Sequence, residues 1–318
     1  MKETLRKDLL IIRRYANIPS STIKQALEDN VYASKQNWHK FLKFLFLTLA
    51  IGFLVTGIIF FFAYNWDDLN KFVKLGIIQA LLIAGTIFIV IGKSPPPIKN
   101  IVLTGLSMLV GALFAVFGQI YQTGANAYDF FLGWTVFITV WVIVTNYTPL
   151  WLIYSILLNT TFFFFSQQVA YNWSDTTIVW SFILINLLML LTFLFLEKYK
   201  TNFSLDNWFY DILKLAIASC CTIAIILLKE SDNVAVNIIS FIAIAAIYLI
   251  AIKQSKNDKS IYNLALITLS IIISIIYYLI IHINEEIGIL MIGLFSVIAF
   301  TVSTKILLDI QKKWNHGK

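Results

Sequence analysis

The densest group of side chains able to hold a ligand is Gly118-Gln119-Ile120-Tyr121-Gln122-Thr123-Gly124-Ala125-Asn126-Ala127-Tyr128-Asp129. It carries amides, phenols and one carboxylate, and no Lys or Arg. Polar backbone at membrane depth must face protein or water, so such a stretch could dip back and line a cavity. It could equally form a hydrogen-bonded cap over neighbouring helix ends. Gln119, Tyr121, Gln122, Asn126 and Asp129 are its candidate binding residues. A second group is written twice: Ala63-Tyr64-Asn65-Trp66 recurs as Ala170-Tyr171-Asn172-Trp173. Tyr and Trp gather where helices leave the bilayer, and Asn closes helix ends, so an aromatic belt explains much of this. Recurrence at matched positions adds a shared packing or binding role, and makes Tyr64, Asn65, Trp66, Tyr171, Asn172 and Trp173 candidates as well.

Other reactive types are sparse. Asp211 and Lys214 stand three residues apart, which suits a local ion pair better than a proton relay. His282, Glu285 and Glu286 offer too few convergent ligands for a metal. Cys220 and Cys221 are neighbours, and neighbours on a helix point about 100° apart, poorly placed to bridge each other. Gln167, Gln168, Asn159 and Asn186 read as interhelical hydrogen-bonding groups. No phosphate-binding Gly-rich loop, metalloprotease helix or nucleophile elbow is present. The expectation is a protein that is not an enzyme and that needs no cofactor or metal.

The elements positioning these residues are apolar. Of 318 residues 59% are hydrophobic and 13% charged, and mean hydropathy is +0.81. Soluble domains run near a quarter charged, so a soluble fold is excluded, and the +7 charge does not suggest nucleic acid. Continuous apolar runs predict spans near 41–63, 72–92, 100–118, 129–146, 148–166, 176–196, 208–228, 234–252, 261–282 and 287–308. Their continuity argues against a β-barrel, which would alternate. The least marked break is the turn from Asn146 to Pro149. Residues 1–40 precede the spans. Leu5, Leu9 and Ile12 repeat there at helical spacing among basic residues, and Pro19-Ser20-Ser21-Thr22 opens a second short helix. This pair is either a small hairpin against the membrane surface or a plain basic tail.

Charge sets the orientation. With residue 1 inside, all of the 24 Lys and Arg fall on the inner side except Lys71, Lys74 and Lys229. A miscount by one span would invert everything after it, so the partition supports ten spans with both termini cytoplasmic. Sliding the chain by 107 residues aligns the two Tyr-Asn-Trp signatures, Asp68 with Asp175, and the loop 93–100 with 200–207. The expected organisation is a cytoplasmic segment 1–40, parallel four-helix repeats 41–147 and 148–254, and a C-terminal helix hairpin with a basic tail, 255–318.

The chain resembles the bacterial membrane family DUF2157, a domain of unknown function. The resemblance is carried by Asn17-Ile18-Pro19-Ser20 to Leu27, by Ala63-Tyr64-Asn65-Trp66 closing the first span, and by Gly118-Gln119-Ile120-Tyr121-Gln122. It implies a bacterial cytoplasmic (inner) membrane and a complex with another membrane or envelope protein. Two functions are carried forward. The first is a non-enzymatic scaffold or sensor subunit, with the lipid bilayer and an envelope protein as partners. The alternative is a transporter or channel for a small solute.

Overall fold

A computed structural model describes residues 6–16, 19–32, 34–65, 67–121, 124, 126–199, 203–229, 233–282 and 286–316. Their regular structure is entirely helical. The helices are α1 (Arg6–Tyr15), α2 (Ser20–Asn30), α3 (Lys35–Tyr64), α4 (Lys71–Ile91), α5 (Pro96–Tyr121), α6 (Ala127–Thr145), α7 (Thr148–Gln168), α8 (Asp175–Tyr199), α9 (Asn207–Leu227), α10 (Val234–Asp258), α11 (Tyr262–His282) and α12 (Glu286–His316). Ten of them, α3 to α12, are long and apolar enough to cross a bilayer. The chain is an all-α polytopic membrane protein, and each apolar run of the sequence becomes one helix.

Helix ends follow local chemistry. Ser34 accepts from Asn37 N at 3.2 Å to start α3, and Asn70 accepts from Phe72 N at 3.0 Å to start α4. Asn233 accepts from the amides of Ala235 and Val236 to start α10. The short break between α6 and α7 is real, because Asn146 adopts the left-handed conformation at φ 48° and ends α6 there. Several helices outrun their apolar runs: α3 begins at Lys35, α5 reaches Tyr121, α10 reaches Asp258 and α12 reaches His316. Most Lys and Arg residues lie at alternate helix ends, and we call these the Lys-rich ends and their opposites the Lys-poor ends.

The surface is apolar, unlike that of a soluble protein, and small polar residues are interleaved in the apolar interior. Large exposed side chains are Phe, Ile and Leu, such as Phe53, Phe60, Phe241 and Leu249, whereas Ser107, Thr135, Ser155, Ser166, Thr222 and Ser270 are buried. Lipid solvates the first group, and small or hydroxyl-bearing residues let helices approach and bond one another.

Two compact units divide the chain, Met1–Thr123 and Gly124–Lys318. In the first, α5 is the central helix and packs on both α3 and α4. Gly105 lets α3 come close, since a Cβ there would collide with Ile51 Cγ2. Leu9 of α1 and Ile23 of α2 are buried, and α1 packs on α2. In the second unit α6 and α7 form a tight antiparallel hairpin. It is tied by Thr135–Thr161 (3.4 Å), Thr139–Tyr154 (3.2 Å) and stacked rings of Phe131 and Phe164. Helix α9 is the hub of the rest, touching α8, α10 and α11. At the Lys-rich ends, residues 203–206 fold inward. Phe203 and Leu205 are buried with Phe193, Phe209 and Leu213, and Asp206 N donates to Thr148 Oγ1 at 3.1 Å. The packing division falls one helix before the repeat boundary expected at 147/148, because α6 lies along α7.

Candidate functional site

The sequence-derived candidates distribute over both units. In the first, Tyr64 ends α3 and is 89% exposed, and Asn65 caps that helix by donating Nδ2–H to Phe61 O at 2.9 Å. Gln119 and Tyr121 lie in the last turn of α5, both exposed, with the Tyr121 ring against Phe117. Gly118 to Tyr121 therefore continues a helix instead of opening a loop, because the 26-residue α5 carries it past the apolar run. Trp66, Gln122 and Glu285 lie outside the described residues.

In the second unit the candidates do converge. Asn126 N donates to Asp129 Oδ2 at 3.1 Å, so Asp129 closes the first turn of α6. Tyr128 N donates to Gln168 Oε1 at 3.1 Å, fastening that turn to the end of α7. The Tyr128 ring meets Phe165 at 5.8 Å, and Phe165 meets Trp173 at 6.1 Å. Trp173 is placed by a turn in which its N–H donates to Ala170 O at 2.9 Å. Asn126 and Asp129 thus act as caps, while Trp173 is held by rings with 44% of its surface exposed. Tyr171 and Asn172 stand beside it in solvent-facing positions.

Beyond Trp173 lies a cleft of about 930 Å³ at the Lys-poor ends of α8, α9 and α10. Trp173, Asp175, Thr177, Trp180, Ser181 and Asn233 are among its lining residues. Ser174 caps α8 by accepting from Thr177 N at 3.3 Å. Trp180 is pinned by donating Nε1–H to Ser240 Oγ of α10 at 3.0 Å. Among the described lining residues Asp175 is the one that carries a charge, and a carboxylate in the first helical turn is favoured by the helix dipole. Two indole rings, hydroxyls and one carboxylate can grip a polar or cationic group on a partner, and the volume lies in the roughly 300–1,000 Å³ range of small-ligand pockets. Trp180, Ser181 and Asn233 were not legible as site residues; the only sequence signal is their polarity and aromaticity near the ends of apolar runs.

Elsewhere, polar side chains pair with one another across and along the helices. Asn159 Nδ2 donates to Asn186 Oδ1 at 3.2 Å and Asn186 Nδ2 returns the bond at 2.8 Å. Lys214 pairs with Asp211 at 3.3 Å. Among the described residues no three His, Cys, Asp or Glu side chains cluster as a metal site would require. No curated protein and no solved structure matches the chain. The cleft lies beyond the stretch for which a family match exists. Over residues 17–151, from just before α2 into the start of α7, the chain is similar to the DUF2157 family, described as a predicted membrane protein.

Proposed function

We propose that the protein is a non-enzymatic component of a bacterial cytoplasmic membrane, a scaffold or sensor subunit whose Lys-poor ends face out of the cell. The observation that carries this is the cleft beside Trp173: an aromatic, hydroxyl-lined recess with one carboxylate, at helix ends and not at the centre of the spans. Orientation rests on the Lys and Arg partition, which assigns the Lys-rich ends and both termini to the cytoplasm. The duplicated unit rests on the repeated Tyr-Asn-Trp signature, and α4–α5 and α8–α9, equivalent pairs under the 107-residue offset, are both closely packed. Solute passage is the second reading, favoured by the size of the cleft.

A photo-crosslinking residue at Thr177, in cells, should give one discrete adduct with an envelope protein. The same residue at lipid-facing Leu249 should not, and Trp173→Ala should abolish the adduct. Equal adducts from both positions, or none from Thr177, would remove the partner reading. Flux of a small solute through reconstituted protein, blocked by Trp173→Ala, would favour the second.

A further inference from the structure

A second recess, of about 220 Å³, lies between α8, α9, α10 and α11 in the half of the second unit nearest the Lys-rich ends. Its lining is graded. Leu187 of α8, Ile217 of α9 and Ile247 of α10 lie near the middles of their helices, and here the walls are largely hydrocarbon. Toward the Lys-rich ends the lining turns polar, with Lys214, Gln254 and Asn263. From Ile247 to Gln254 the groove runs along seven residue steps of α10, about 10 Å at 1.5 Å per residue. That is a large part of the depth of one leaflet, about half of a hydrocarbon core roughly 30 Å thick.

We propose that this groove binds one acyl chain of an anionic phospholipid from the leaflet at the Lys-rich ends, with the lipid phosphate against Lys214. The match is one of polarity and charge. The largely apolar recess ends in an ammonium whose side chain is 23% exposed and so remains reachable from the groove mouth. An ammonium has three donors, and the bond to Asp211 Oδ1 uses one of them. Gln254 and Asn263 supply amides at the same level. Helix α10 then continues into exposed Lys256, with Lys259 just beyond its end, extending the positive field outward. Asp211, Asp258 and Glu197, the last accepting from Tyr210 Oη–H at 2.8 Å, are the opposing acids. Asp211 is already turned onto Lys214, and its backbone carbonyl is occupied by Tyr262 Oη–H at 2.8 Å. Lys214 thereby becomes a headgroup-binding residue as well as half of an ion pair, and the groove becomes a lipid site built into the helix interface. The proposal does not depend on the outer cleft or on which side of the membrane the Lys-rich ends face.

The test is native mass spectrometry of the full chain in mild detergent, after incubation with phosphatidylglycerol or phosphatidylcholine of matched chain length. One phosphatidylglycerol per chain should be retained at least tenfold better than phosphatidylcholine. Ala251→Phe or Ala218→Phe, which place a ring in the groove, should each reduce that retention about tenfold with the thermal midpoint unchanged. Lys214→Gln should leave chain binding but remove the preference for phosphatidylglycerol. Equal retention of both lipids by the unaltered protein, which needs no variant to fold, would overturn the proposal. So would a folded Ala251→Phe or Ala218→Phe protein that keeps phosphatidylglycerol fully.

Discussion

Replacing Asn186 by Leu removes both halves of the reciprocated amide pair between α7 and α8. Asn186 is 2% exposed, and the two helices touch at few backbone positions, so side chains hold them together. Those ties are the amide pair, the Phe162–Phe182 ring contact at 4.8 Å and the Trp151–Phe193 contact at 4.8 Å. An interhelical polar bond inside a membrane averages about 0.6 kcal/mol and reaches about 1.7. Two such bonds lost, together with an Asn159 carbonyl left without its donor, give an expected cost of about 1.5–3 kcal/mol. Asn159 keeps its donation to Ser155 O at 2.8 Å, which limits the loss. Reversible unfolding in mixed detergent should show the destabilisation. A double-mutant cycle with Asn159→Leu should return a coupling of roughly 1–2 kcal/mol, since the second substitution has no partner left to orphan. Single-variant costs below about 0.5 kcal/mol with no coupling would mean that the pair is not a tie between these helices.

Gly105→Val should destabilise the first unit by about 1–3 kcal/mol, because its side chain would meet the stiff, branched Ile51 at the α3–α5 contact. Gly118→Val, where a Cβ would have open space, should leave the unfolding midpoint unchanged. Burial and the Asp206 carboxylate hold the Tyr147 phenol above its usual range, so folding favours the protonated form. This contribution is fully present below the unfolded value near pH 10 and fades as pH rises through the higher folded value. Tyr147→Phe should flatten the loss of stability in alkaline detergent titrations. The duplication predicts that an experimental structure will superpose the helices of 41–147 on those of 148–254 by rotation about the membrane normal; an in-plane axis would contradict it.

The spans were legible because a bilayer helix must be apolar along its whole length, which single-sequence hydropathy reads directly. Their ends were less so. Lys35 to Lys40 and Gly118 to Tyr121 are polar enough to read as loop, yet they simply extend helices beyond the apolar run. The repeated tetrapeptide shows how context intervenes. Ala63 and Tyr64 are inside α3, which Asn65 then closes, whereas Ala170 and Tyr171 follow the end of α7. There Val169 N and Ala170 N both donate to Phe165 O, and the helix ends three residues earlier than α3 does under the 107-residue offset. Asn159 and Asn186 were legible as hydrogen-bonding residues in kind, and Lys214 with Asp211 as a pair. The cleft was not, because Trp180, Ser181 and Asn233 meet only through the packing of α8 and α10, and no periodicity encodes which spans become neighbours.

Orientation carries the functional account, since a cleft on the cytoplasmic side could not meet an envelope partner. The direct measurement is labelling of single cysteines on a Cys220→Ser/Cys221→Ser background with a membrane-impermeant maleimide. Asn172 stands exposed beside the cleft-lining Trp173, and Asn257 is exposed at the Lys-rich end of α10. In intact cells Asn172→Cys should label and Asn257→Cys should label only after permeabilisation; labelling of Asn257→Cys with protection of Asn172→Cys would turn the cleft inward and contradict the account.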